Sequence, residues 1–243
     1  MKIIADTHTH TIASTHAYST VQEMVKQAQE IGLYAIAITD HAYNMPGSPG
    51  MWYFDNLSAI PEYLYGVRIL KGIEANIIDY KGNIDVPLHI QKSLDWVVSS
   101  VHGLLVEEKE DPTIEKCTQL YLNVCKNPYV NVIGHSGSGE YKYDYEKVIP
   151  EFGKNGKLVE INNASFRCRK DSVKNCMEIA NVCKKHNVPI IINSDAHFST
   201  AVGAVDEAIN ALKEIDFPEH LIVNTNVERF KEYVAKYVDT KIK

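Results

Sequence analysis

Ile3-Ile4-Ala5-Asp6-Thr7-His8-Thr9-His10 opens the chain as a short apolar run that gives way at once to an acid and two histidines spaced two apart. The apolar trio reads as a strand. The turn that leaves it holds no glycine. An open, doubly wound sheet usually places a glycine-rich loop at that point, so the competing architecture, a closed barrel, gains weight.

The same arrangement recurs down the chain. Apolar segments at 34–39, 67–73, 96–100, 130–133, 158–161 and 188–193 read as six further strands. Helical periodicity falls between them. Residues 21–31 place Val21, Met24, Val25, Ala28 and Ile31 on one face, with a Thr20/Glu23 capping box and Gly32 as the stop. Asp111 is expected to cap a helix that begins at Pro112 and carries Ile114, Cys117, Leu120, Tyr121 and Val124. Further helices are expected at 171–185, 205–215 and 227–238. Residues 42–61 hold Asn44, Pro46, Gly47, Pro49 and Gly50 together with Met51 and Trp52-Tyr53-Phe54, and read as a long loop with room for a short helix. Short apolar strands alternating with helices mean parallel β, an α/β fold. Seven of them fit a TIM-barrel-like (β/α)7 barrel, one strand short of the usual eight. No repeat, low-complexity tract or linker divides the sequence, so one domain over 1–243 is expected.

Each predicted strand delivers polar chemistry at its carboxyl end. Asp6, His8 and His10 follow the first, Asp40 and His41 the second, Glu74 the third, His102 the fourth and His135 the fifth. Glu160 and Asn162 end the sixth, and Asp195 and His197 follow the seventh. That end is the active-site face of a parallel barrel. A lone H-x-H decides nothing, because ten histidines in 243 positions give roughly 0.4 such pairs by chance. Convergence is the signal. Neutral imidazoles and carboxylates without thiolates suit zinc, and also iron or manganese. His16 stands either as a further ligand or as a polar loop residue. Asp6 and Asp40 are expected to accept an imidazole N–H or to fix a loop. Glu160, Asn162 and Asn163 either orient substrate or close the barrel through hydrogen bonds. Arg167 or Arg169 either clamps a phosphate or forms a surface ion pair. The Trp52-Tyr53-Phe54 cluster either lines a pocket or packs its loop. His89, His186 and His220 fall outside the strand ends and read as surface residues.

Composition bounds the function from the other side. Hydrophobic residues make up 45% and charged residues 23%, enough for a sizeable core and too apolar for a disordered chain. The net charge of −6 disfavours a nucleic-acid coating protein, whereas three divalent ions would offset it and let the site accept anions. The apolar start is far too short for a signal peptide, and no stretch approaches a membrane span, so the cytoplasm is the expected location. Five cysteines, an odd count without a C-x-x-C pair, argue against a disulfide framework and a thiolate zinc site. Cys117, Cys176 and Cys183 lie on apolar helix faces and are expected in the core.

The motifs Asp6-x-His8-x-His10, Ile38-Thr39-Asp40-His41, Gly72-Ile73-Glu74-Ala75-Asn76, His102, Gly134-His135, Glu160-Ile161-Asn162-Asn163 and Ser194-Asp195-x-His197 resemble, in this order, the PHP (polymerase and histidinol phosphatase) superfamily. The segment 14–20 with 72–76 is most similar to its YcdX-like phosphatase branch. The resemblance implies a distorted seven-stranded barrel, a trinuclear metal centre, usually zinc, and hydrolysis of phosphate esters on a small phosphorylated substrate, nucleic acid entering only as a substrate. Carried over by motif, His8, His10, Glu74 and Asp195 would hold one ion, Glu74, His102 and His135 a second, and His16, His41 and His197 a third. A hydroxide bridging two ions would attack phosphorus, an arginine (Arg167 in the first instance) would neutralise phosphoryl charge, and Asp195 or a metal-bound water would protonate the leaving group. Two departures stand out: Ser136 replaces a proline common in the family, and the arginine region 165–169 does not align unambiguously.

Alternatives remain open within this reading. A specific histidinol phosphatase is one. An amidohydrolase-type barrel cleaving C–N bonds is another; it shares the H-x-H opening and a late aspartate but usually carries a modified bridging lysine where Ser99, Ser100 and His102 stand. A non-enzymatic metal-binding module is the third. A homo-oligomeric assembly is compatible with the sequence.

Overall fold

The computed structural model describes residues 1–103, 106, 111–168 and 171–240. Seven parallel strands form a nearly closed barrel in the order β1 (Ala5–Asp6), β2 (Ala35–Ile38), β4 (Val67–Asn76), β5 (Trp96–Ser100), β6 (Val132–Ile133), β7 (Leu158–Asn162) and β8 (Ile190–Asn193). A two-residue strand, β3 (Tyr63–Leu64), pairs antiparallel with β4 as an appendage. The helices are α1 (Val21–Glu30), α2 (Met51–Asp55), α3 (Leu88–Ser93), α4 (Ile114–Val124), α5 (Tyr145–Lys154), α6 (Ser165–Cys168), α7 (Ser172–His186), α8 (Asp206–Glu214) and α9 (Val227–Tyr237). None is long and apolar enough to cross a membrane.

The expected α/β barrel is therefore found, with local corrections. β4 runs to Asn76 rather than ending at Ile73, because its first half pairs with β2 and its second half with β5. Glu74 thus lies inside a strand, where its side-chain direction is fixed. The Asp111–Pro112 start is two residues early: Thr113 is the N-cap, its hydroxyl accepting from Lys116 N–H at 3.2 Å. The Thr20/Glu23 capping box and the stop at Gly32, with φ of 77°, are as expected. Helix α5 is absent from the sequence reading, since Pro150 interrupts its pattern. It forms nonetheless around Val148, Ile149 and Phe152, with Asp144 as its cap.

Strand alternation positions the site. Ala35 and Ala37 of β2, Leu70 of β4, Trp96 and Val98 of β5, Leu158 of β7 and Ile191 of β8 all point into the barrel. Phe230, Tyr233 and Val234 of α9 join this cluster and seal the amino-terminal end. Two-residue steps along the same strands reach His41, Glu74, Ser100, Glu160, Asn193 and Asp195 at the other end. One inward face is thus apolar at its base and ionisable at its top. Outward-facing residues such as Ile36, Ile69, Ile73, Val97 and Ile192 pack under the helices in a second cluster with Met24, Leu120, Phe152 and Ile179.

Closure of the barrel combines side-chain bonds with a few backbone bonds. β1 and β8 form no ladder; Asn224 fills the gap. Its Nδ2 donates to Ala5 O at 2.8 Å and Ile192 O at 2.6 Å, and its Oδ1 accepts from Ile192 N–H at 3.1 Å. Its own carbonyl accepts from Ile4 N–H at 2.8 Å. Higher in the seam, Asn193 Oδ1 accepts from Thr7 N–H, and His10 N–H donates to Ala196 O, each at 2.8 Å. These bonds bring the two ends of the sequence, His8 and His10 with Asp195 and His197, to one place.

Candidate metal centre

Nine residues singled out in the sequence meet at the carboxyl face. Glu74 is their hub. Its Oε1 lies 2.9 Å from His135 Nε2, 3.3 Å from His8 Nε2 and 3.5 Å from His102 Nε2. Its Oε2 lies 2.7 Å from His41 Nδ1 and 3.6 Å from His10 Nε2. Asp195 Oδ1 stands 3.1 Å from His10 Nε2 and 3.6 Å from His8 Nε2. His16 Nε2 faces His197 Nε2 at 2.9 Å and His41 Nε2 at 3.4 Å. His8 and His10, with ring centroids 5.2 Å apart, aim at the same carboxylates, although they lie past the two-residue β1 rather than inside a strand.

The surroundings fix how these rings present themselves. His8 Nδ1–H donates to Glu160 Oε1 at 2.8 Å, His102 Nδ1–H to Asn76 Oδ1 at 2.7 Å, and His197 Nδ1–H to the Asp195 carbonyl at 2.8 Å. Each leaves a lone pair on Nε2, turned toward the carboxylates or another imidazole. Lone pairs so placed repel one another unless protons or cations stand between them. His8 Nε2, His10 Nε2, His41 Nδ1 and Glu74 Oε2 are buried and make no well-aligned hydrogen bond, although His41 Nδ1 stands 2.7 Å from Glu74 Oε2 and His10 Nε2 3.1 Å from Asp195 Oδ1. Among the described residues, three overlapping groups can hold a metal ion: His8, His10 and Glu74; His10, His41 and His197; and His41, Glu74 and His102. The donor set of imidazole and carboxylate without sulfur fits a borderline divalent ion such as zinc.

The titration behaviour agrees. Burial pushes the Glu74 and Asp195 carboxyls up, but the neighbouring His8 charge, joined by His102 and His41 at Glu74 and by His10 at Asp195, more than offsets this and holds both well below the usual range. Burial pushes His10 down to about 4. Burial opposes the charged form of His8 as well, yet Glu160, Glu74 and Asp195 outweigh it and hold that ring well above its ordinary value. Negative charge thus accumulates where protein cations are scarce; without an ion a second proton on His8 answers it, in the place a cation would take.

Two backbone positions are held in left-handed conformations: Asp195 with φ of 59° and His135 with φ of 24°. The adjacent Gly134 is required, since a Cβ there would collide with Ser100 Oγ and Val98 Cγ1. Asp6 accepts from Ser194 N–H, Ser194 Oγ and Gly203 N–H and so braces the Asp195 turn. Asp40 accepts from Thr11 N–H and Oγ1, Ser14 Oγ and Tyr53 OH, binding the 11–14 loop. Both aspartates therefore fix loops. Tyr53 and buried Phe54 pack their segment, while Trp52 is 87% exposed.

A cavity of about 200 Å³ opens over the cluster, lined by His16, His41, Met45, Glu74, His102, His135, Asp195 and His197. A larger cleft of about 940 Å³ lies between α4 and α5, lined by Tyr80, Ile114, Lys116 and Asp144 among others, and gathers no ligand group among the described residues. Arg167 does not line the cavity; its guanidinium forks Glu207 Oε1 at 2.5 and 2.6 Å on the surface. Arg169 lies outside the described residues. His89 and His220 are exposed, and His186 pairs with Glu146. Sequence reasoning missed Asn193 and gave Asn76 no separate role. Neither stands out without knowing what it bonds.

Comparison with known proteins agrees with the geometry. The family described as "PHP domain" matches residues 6–164. A protein named "Probable phosphatase" from Acetivibrio thermocellus is 50% identical over 236 residues, covering 97% of each chain. Another, from a Thermoanaerobacter species, is 47% identical over 237 residues, covering 97% of this chain and 96% of its own. The crystal structure of a histidinol phosphate phosphatase from Lactococcus lactis, complexed with zinc, L-histidinol and phosphate, superposes with a TM-score of 0.57 at 18% identity, covering 90% of this chain and 95% of its own. At that identity it speaks for the fold alone. With the match spanning well over half of the sequence and near-full-length relatives at such identity, the chain belongs to the PHP domain family.

Proposed function

We propose that this chain is a metal-dependent phosphatase that hydrolyses phosphate monoesters at the histidine–carboxylate cluster. The observation that carries the reading is the set of buried ring nitrogens turned on Glu74 and Asp195 from the ends of several strands without well-aligned hydrogen bonds. The phosphatase names of near-full-length relatives support it.

In this reading His8, His10, Glu74 and Asp195 hold one divalent ion, Glu74, His102 and His135 a second, and His16, His41 and His197 a third. Zinc is the preferred occupant, with manganese or iron able to replace it. Such ions, when bound, lower the pKa of water toward neutrality and neutralise phosphoryl oxygens. The chain's own part is positioning. Glu74 faces three imidazoles with one oxygen and two with the other, so it suits a shared ligand. Asn162 Nδ2 donates to Asp195 Oδ2 at 3.1 Å, which turns Oδ1 toward His8 and His10. Asp195, held ionised, can serve the leaving group only by first accepting the proton of the attacking water and then passing it to the departing alkoxide oxygen. The cavity of about 200 Å³ is smaller than a pocket for a drug-sized ligand, so a substrate of that size would extend beyond it. Arg167 completes the proposal by exchanging its Glu207 partner for phosphoryl oxygens.

The test is phosphate release from p-nitrophenyl phosphate by protein supplied with Zn²⁺ or Mn²⁺. Chelation and His8→Ala are each expected to lower the rate at least about 100-fold. Full activity surviving both refutes the mechanism, and turnover of amides or lactones without phosphoesters favours the amidohydrolase-type chemistry instead.

A further inference from the structure

We infer that Glu160 is the positioning residue of this cluster: a buried carboxylate that fixes which nitrogen His8 presents and how the His135 turn is set. The inference rests on the metal-centre reading above and deepens it.

Glu160 is 2% exposed, and donors occupy both its oxygens. Oε1 accepts from His8 Nδ1–H at 2.8 Å and Asn193 Nδ2 at 2.9 Å. Oε2 accepts from the His135 backbone N–H at 2.7 Å and Asn162 Nδ2 at 3.2 Å. Other bonds settle the direction of both amides. Asn193 Oδ1 accepts from Thr7 N–H at 2.8 Å and Thr7 Oγ1 at 2.9 Å. Asn162 Oδ1 accepts from Ser165 N–H at 3.1 Å. Neither amide can turn its oxygen toward Glu160 without losing those partners.

The consequence reaches His8. Its Nδ1 faces an oxygen that only accepts, so the ring proton stays there and the lone pair stays on Nε2. That Nε2 is the atom 3.3 Å from Glu74 Oε1 and 3.6 Å from Asp195 Oδ1. The other oxygen ties down the His135 turn, whose φ of 24° otherwise disfavours it. One carboxylate on β7 therefore aligns residues that follow β1 and β6, which the reading above assigns to two different ions.

Glutamine cannot take over this work. Turned one way, its amide NH₂ meets His8 Nδ1 and the Asn193 amide; His8 can then bond only by moving its proton to Nε2, where it blocks coordination. Turned the other way, the NH₂ meets the His135 N–H and the Asn162 amide, and the turn is released.

The experiment compares wild type, Glu160→Gln and Glu160→Asp as full-length chains. Zinc affinity is read by competition with a chromophoric chelator, the ring nitrogens of His8 by ¹⁵N NMR, and the unfolding midpoint in parallel. Glu160→Gln is expected to weaken zinc binding roughly 10–100-fold, with loss of the Nδ1–H signal of His8 where the amide NH₂ turns toward that ring. A merely structural role would lower the midpoint and leave affinity and the His8 signal alone. Should Glu160→Gln not fold, Glu160→Asp decides, because its carboxylate withdraws by one methylene: a loss of at least about tenfold is expected, and wild-type affinity with an unchanged His8 signal overturns the inference. Wild-type protein that takes up no zinc sinks the metal-centre reading itself, whereas wild-type protein that binds zinc beside variants of equal affinity sinks only the role of Glu160.

Discussion

Asn224→Ala should open the barrel where its two ends meet. Asn224 is fully buried and supplies three side-chain hydrogen bonds to backbone groups on β1 and β8. Alanine leaves the Ala5 carbonyl and both the N–H and the carbonyl of Ile192 without these partners. A buried backbone group deprived of its partner costs about 1–3 kcal/mol, and the space left by the amide lets a water recover part of that. Three groups at roughly 1–2 kcal/mol each give an expected loss of about 3–6 kcal/mol, a large share of a typical domain's stability. The assay is urea unfolding of both proteins with chelator present, so that ion binding adds nothing to either midpoint. The seam also joins His10 to Ala196, so zinc affinity of the folded variant should fall as well. A shift below about 1 kcal/mol with an unchanged denaturant slope would refute the idea that one side chain substitutes for the missing ladder.

His16→Ala should act differently from His10→Ala. His16 is exposed on its loop whereas His10 is fully buried beneath the cavity, so the first change should remove one ion with little loss of stability and the second should cost more than one; metal content per chain checks both. Lys157 offers a pH test away from the cluster. Its ammonium is buried against the Asn127 and Val130 carbonyls, and burial pushes it down to about 8 from 10.5. The folded state sheds this proton first, so the unfolded state binds more protons between those values and the stability of wild type relative to Lys157→Met rises with pH there. About 2 kcal/mol of relative gain is expected between pH 7 and 9.5 by chelated urea unfolding, and a flat difference would contradict it.

Much of the site was legible because its chemistry is dense in a few residue types at strand ends. His8, His41, His102, His135 and His197 each follow an apolar run short enough to be a strand, and parallel strands must share a carboxyl face. What was not legible depends on distant partners. Glu160 gains its meaning from His8, 152 positions away in sequence, and Asn193 from Thr7, 186 away. Asn224 sits in an unremarkable segment, and only the gap between β1 and β8 gives it a task. Helix α5 was hidden by Pro150, whose cost is outweighed by burial of Val148, Ile149 and Phe152. Arg167 is a case of the same kind: the sequence offered a phosphate clamp or a surface ion pair, and its pairing with Glu207, 40 positions on, is seen only in the fold.

The most direct test of a converging cluster is the metal content of the full-length protein after loading with zinc and removal of excess, measured by mass spectrometry alongside a His8→Ala, Glu74→Gln double variant. Three ions per wild-type chain, falling to one or none in the double variant, is the expected result. Fewer than one ion per wild-type chain, or equal content in both proteins, would contradict it.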